Sequence, residues 1–148
     1  MIWIANELPP EIPPACIAQA ASHYAVPEII LLAVLKVEGG KLGKEYARST
    51  GTYYGPFQIS NKWLSHFSKW GFTSTHLQHD ACSNVTAAAY ILAYYQVRER
   101  DWVRAIARYN VGSLNTLARV EAGNRYVTKV LAQWGGIHLR LKRREGNA

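Results

Sequence analysis

Apolar positions recur at helical spacing through most of this chain and at strand spacing almost nowhere. The densest apolar run lies between Pro27 and Gly39-Gly40, where Ile29 to Leu35 and Val37 are interrupted only by Lys36. Pro27 and Glu28 suit a first helical turn, and Gly39-Gly40 suit its end. Ile30, Val34 and Glu38 sit four apart and share one stripe of that helix. The pattern therefore aims a carboxylate inward at the end of a nearly all-apolar helix. A carboxyl there is poorly solvated, which disfavours its charged form, and a protonated glutamic acid near neutral pH is what a general acid needs. The competing reading is a helix-terminal glutamate that turns to solvent.

The same patterning predicts the remaining elements. Residues 1–13, with Pro9, Pro10 and Pro13, read as an extended lead-in. Ala15 to Tyr24 is a short amphipathic helix. Lys41 to Tyr54 is a polar, glycine-containing loop, placed to line a cleft and deliver Ser49 and Tyr53. Ser60 caps a helix reaching about Trp70 and closed by Gly71. Thr73 to His79 is a connector with room for one helical turn. Asp80 begins a helix to about Arg100, with Cys82, Val85, Ala89, Leu92 and Gln96 on one face. Asp101 caps the next, with Trp102, Ile106 and Tyr109 inward. After a break at Asn110-Val111-Gly112, one helix runs from Ser113 to about Ala122. Another runs from Asn124 to Trp134 and ends at Gly135-Gly136. No repeat is visible, nor any strand longer than a few residues. The expected class is all-α with at most a vestigial hairpin, as one domain over 14–136 followed by a basic tail, 137–148.

Composition narrows this only in part. A chain of 148 residues with 49% hydrophobic and 18% charged residues is globular in balance. It is long enough to bury roughly two-thirds of its unfolded surface. No apolar run approaches the roughly 20 residues of a membrane span. Met1-Ile2-Trp3-Ile4-Ala5 is too short for a signal-peptide core, so an export signal is either absent or removed. The net charge of +7 favours polyanionic partners. Only Arg140, Lys142, Arg143 and Arg144 form a dense run, which argues against nucleic acid, and cell-wall polymers carry carboxylates too. Cys16 and Cys82 leave two readings open. A bridge would close a loop of about 67 residues, worth around 4 kcal/mol in the chain-entropy model. The other reading is a pair of buried thiols.

Three separated segments carry a resemblance. Glu38 ends an apolar helix; Gly55-Pro56-Phe57-Gln58-Ile59 follows; Arg108-Tyr109-Asn110-Val111-Gly112 comes later. In that order they resemble the lytic transglycosylases of the lysozyme-like superfamily, and Asn124-Arg125-Tyr126-Val127 is similar to the family's last helix. The resemblance covers about residues 14 to 134. It implies a lysozyme-like helical fold with a glycan cleft, and Glu38 as the single acid/base. The substrate implied is the bond between N-acetylmuramic acid and N-acetylglucosamine in peptidoglycan, with a 1,6-anhydromuramoyl end as product.

The resemblance also assigns substrate-binding roles. Gln58 matches a motif glutamine facing the acid, and Ser49 a serine that hydrogen-bonds the muramic residue. Tyr109 and Asn110 match a tyrosine-asparagine pair at the acid and the cleft wall. Tyr126 matches a tyrosine whose hydroxyl points at the catalytic carboxyl. Independently of the resemblance, Tyr53 and Tyr54 are aromatics able to stack on sugars, with packing as the competing reading. The cysteine pair resembles the specialised branch found with secretion, conjugation and type IV pilus systems. That implies a Cys16–Cys82 bridge and a periplasmic site of action. Partners of such an apparatus are then expected besides the glycan; no cofactor is expected, and a monomer is the default.

This chain departs from the family pattern at several positions. Gly39 stands where the family usually has serine, Pro56-Phe57 replace leucine-methionine and make the cleft floor bulkier, and Arg108 replaces a small residue. Glu45 is the only other carboxylate between Glu38 and Asp80 and matches no nucleophile position. His76 and His79 lack the further ligands of a metal site. Two other functions remain: a hydrolytic lysozyme or chitinase relative, and a glycan-binding assembly module without catalysis.

Overall fold

The computed structural model describes residues 2–146. The fold is built around α3 (Glu28–Glu38), where Leu31 to Leu35 are all buried. Five successive buried positions circle the whole helix, so neighbours must surround it. They are α2 (Pro14–Tyr24) and α8 (Leu117–Gly146). The second central helix, α6 (Ala81–Glu99), packs on α2, on α5 (Ser74–His79) and on α7 (Trp102–Val111), which in turn lies on α8. Asp80 and Asp101 cap α6 and α7 as the sequence leads one to expect, by accepting from the backbone N–H groups of Ser83 and Val103. The Cys16–Cys82 disulfide is formed and ties α2 to α6.

The polar stretch after α3 folds into a small antiparallel sheet, ordered β1 (Glu45–Arg48), β2 (Gly51–Tyr54), β3 (Ile59–Ser60). Arg48 pairs with Gly51 across a two-residue turn at Ser49 and Thr50. The all-α class holds with this three-stranded sheet as its one β feature among the described residues. The predicted helix from Ser60 to Trp70 is instead a broken path: a 3-10 turn at Asn61–Trp63, α4 (Leu64–Phe67), and a second 3-10 turn at Ser68–Trp70. Trp63 and Phe67 there join an aromatic cluster with Tyr90, so packing of large rings overrides a regular helix.

Both ends of the chain differ from expectation. The lead-in is not simply extended: it begins with α1 (Ile2–Ala5), and Ile4 and Ile12 are fully buried. In place of the two helices expected at 113–134 there is a single helix, α8, which starts only at Leu117 and runs through Gly123 and Gly135-Gly136 into the basic tail. Gly123 lies against α7, where an added Cβ would come within 3.0 Å of Ala107 Cβ, so this glycine serves close helix packing. Each mid-helix glycine costs about 1 kcal/mol relative to alanine. Two contacts offset that cost beyond Gly136: Ile137 is buried, and Arg140 and Arg144 reach Glu7 near the other terminus. Glu7 is itself buried, with Lys36 as a third cation at 3.4 Å.

Candidate active site

Glu38 is the last residue of α3, and Gly39 follows in the left-handed conformation at φ 60°. Gly40 then meets the Gly55–Gln58 turn. Its N–H donates to Pro56 O at 3.0 Å, and an added Cβ would stand 2.0 Å from Gly55 O. The turn is clamped from below by Asn84 on α6. Its Oδ1 accepts from Phe57 N–H at 2.9 Å, and its Nδ2 donates to Tyr54 O and Leu77 O, each at 2.8 Å. From the other side Tyr109 donates its hydroxyl to Phe57 O at 2.8 Å. These bonds hold Gln58 at a left-handed φ of 50°. Its Nε2 donates to Glu38 O at 2.6 Å, and its Oε1 accepts from Arg48 Nη2 at 2.7 Å.

The Glu38 carboxyl points into an open cleft of about 480 Å³ between the sheet and α7 and α8. Tyr126 donates its hydroxyl to Glu38 Oε2 at 2.5 Å. Burial raises the Glu38 pKa from 4.5 to about 7; the Tyr126 hydrogen bond and the Arg48 charge pull the other way and lose. The Tyr109 and Tyr126 phenols are pushed well above their ordinary pKa, first by burial and then by the Glu38 charge. Near neutral pH the cleft thus presents a carboxyl that can hold or release a proton, beside two phenols that stay protonated.

Six of the eight residues predicted as acid or sugar contacts line this cleft: Glu38, Tyr53, Gln58, Tyr109, Asn110 and Tyr126. Ser49 does not. It sits exposed in the β1–β2 turn, and its neighbours Arg48 and Thr50 line the cleft instead. The hairpin register decides this, because successive side chains alternate between faces. Tyr54 is buried for the same reason, whereas Tyr53 faces the cleft. Phe57 does not bulk up the cleft floor: its side chain is fully buried in the core, and only its backbone serves the turn. His76 is used locally, its Nδ1 lying 3.1 Å from Thr73 N at the start of α5. No cluster of three or more metal-ligating side chains occurs among the described residues.

Sequence reasoning missed Arg48, Lys129 and Asn84. Lys129 follows Tyr126 by three positions, a helical spacing that puts both on the cleft wall. Asn84 is an amide with no exposure in the midst of the alanines of α6, a polar intrusion that marks a buried hydrogen-bonding post.

A partly buried glutamate at the end of a central helix, facing a small sheet across an open groove, defines a lysozyme-like glycan-active fold. Residues 15–131, most of the chain, match the profile of the Transglycosylase SLT domain, and the protein belongs to that family. Its members are lytic transglycosylases acting on peptidoglycan. Compared with curated proteins, the chain has no significant match. None of its described helices is long and apolar enough to cross a membrane.

Proposed function

We propose that the protein cleaves the β-1,4 bond between N-acetylmuramic acid and N-acetylglucosamine without water, using Glu38 as both acid and base. The protonated carboxyl gives its proton to the glycosidic oxygen as the bond to the muramic anomeric carbon breaks. The substrate's own acetamido group stabilises the positive charge that develops at that carbon. The Glu38 carboxylate then takes the proton of the muramic 6-hydroxyl, whose oxygen bonds to the anomeric carbon. The products are a free N-acetylglucosamine hydroxyl and a 1,6-anhydromuramoyl end, and Glu38 is protonated again.

One observation carries this reading: Glu38, with its pKa raised to about 7, is the only carboxylate among the residues lining the cleft. A two-carboxylate glycosidase needs a second acid within roughly 5–9.5 Å of the first. Tyr126 orients the acid, and Gln58 supports it through the Glu38 carbonyl. The disulfide fits a periplasmic site of action. With the resemblance of the cysteine pair to the secretion and pilus branch, it supports local opening of the wall for an envelope-spanning apparatus.

The test is digestion of purified peptidoglycan by the wild type and by Glu38→Gln, with products identified by mass spectrometry. Anhydromuramoyl ends from the wild type and none from the variant are expected. Reducing ends would instead make the protein a hydrolase. Binding without any product would make it a glycan-binding module.

A further inference from the structure

The cleft does not stop at Glu38. A second cavity of about 620 Å³ shares Thr50, Tyr53, Tyr109 and Asn110 with it, so the two form one groove. Its polar wall carries Lys62, Arg108 and Arg119, and no Asp or Glu lines it. Two of these cations are held in place by neutral groups. Arg108 lies over the Tyr95 ring, 4.4 Å from its centroid, and its Nε donates to Gly112 O at 2.9 Å. Arg119 Nη1 donates to Ser113 Oγ at 2.9 Å.

Four cations elsewhere are ion-paired, Arg104 with Glu99 and Lys36, Arg140 and Arg144 with Glu7. Among the described residues, Lys62, Arg108 and Arg119 have no carboxylate partner. Like charges gathered in a concave site with aromatic walls concentrate an electrostatic field there. Guanidinium groups already fixed in position take carboxylates with little loss of side-chain freedom.

We propose that this arm of the groove binds the carboxylates of the peptide stems carried by the glycan, so that the enzyme selects stem-bearing over bare glycan strands. The proposal rests on the transglycosylase reading, because it is peptidoglycan in the adjoining cleft that brings acidic stems into reach.

The test compares intact peptidoglycan with the same glycan stripped of its stems by an amidase, for the wild type and for Arg108→Gln/Arg119→Gln. A second variant, Lys62→Gln at an exposed position, covers the case in which the double variant fails to fold. The wild type is expected to favour the stem-bearing substrate by about tenfold in kcat/KM, the scale of one or two charge-assisted hydrogen bonds. In the variants the ratio of the two rates falls toward unity, and in the wild type it falls with added salt. A wild type indifferent to stems, or variants that keep its preference, would overturn the proposal while leaving the transglycosylase reading intact. Binding of soluble stem-bearing and stripped fragments to the Glu38→Gln protein separates the opposite case. If the wild type yields no anhydro product but the stem preference persists in binding, the catalytic reading falls and the carboxylate site stands.

Discussion

Tyr126 donates its hydroxyl to Glu38 Oε2 across 88 residues of sequence, from the first half of α8 to the last residue of α3. The bond favours the ionised carboxylate, so it opposes the burial that raises the Glu38 pKa to about 7. Two helices that pack along their lengths thereby set both the direction and the acidity of one carboxyl.

Removing that bond has an effect of definite sign. Tyr126→Phe deletes the one side-chain hydrogen bond that lowers the Glu38 pKa, so the pKa rises above about 7. A general acid works in its protonated form, and the alkaline limb of the pH–rate profile moves to higher pH. Looser aim lowers the plateau rate by about tenfold or more, the scale of a hydrogen bond to a charged group. An unchanged alkaline limb in the kcat/KM profile would contradict this.

Glu38 also opposes stability as the pH rises. Its pKa is 4.5 in the unfolded chain and about 7 in the folded one. Below 4.5 both states are protonated and the residue contributes nothing. From there to about 7 the unfolded state ionises first, so stability declines and then levels off. With allowance for solvent at the open cleft, the penalty at pH 8 is on the order of 2 kcal/mol. Glu38→Gln is therefore expected to be more stable than the wild type at pH 8 and equal to it at pH 4, as read from urea unfolding.

Glu7 behaves in the opposite sense. The hydrogen bond from Arg140, joined by Arg144 and Lys36, lowers its pKa from 4.5 to about 2 against the cost of burial. Its stabilisation is complete above 4.5 and is lost as the pH falls through about 2. Glu7→Gln leaves three cations without their carboxylate and is expected to cost about 3 kcal/mol at pH 7. The cost shrinks steadily below pH 4. Equal unfolding midpoints for variant and wild type at pH 7 would show that the pairing contributes nothing to holding the two termini together.

Gly40 and Gly39 are adjacent glycines with different demands. A Cβ at Gly40 would stand 2.0 Å from Gly55 O, which forces the acid-bearing helix away from the Gln58 turn. Gly40→Ala is expected to lose several kcal/mol of stability and most activity. At Gly39 nothing lies closer than Lys36 O at 3.9 Å, so Gly39→Ser costs only the left-handed backbone, about 1 kcal/mol. Thermal melts of the two variants measured side by side separate these effects.

Local chemistry made much of the molecule readable from its sequence. The apolar run of α3 with Glu38 at its end, the Asp80 and Asp101 caps, and the glycines around the Gln58 turn all depend on near neighbours and chain geometry. Tyr109, Asn110 and Tyr126, which carried part of the family resemblance, were legible one helix at a time; that α7 and α8 bring them into one cleft is a matter of packing.

Tertiary structure decided what depends on distant groups. Ser49 was lost from the cleft to the hairpin register, and Arg48 took its place there. α8 continues through Gly135-Gly136 because Ile137 is buried and Glu7, more than 130 positions away in sequence, draws in Arg140. The amide of Gln58 is committed to the Glu38 carbonyl and to Arg48, a pairing that needs the sheet folded against α3. Sequence by itself determined which residues could do the chemistry, since helix, cap and turn propensities act over a few residues. Packing decided which of them meet and at what pKa, because burial and hydrogen bonding depend on neighbours that only the folded chain brings close.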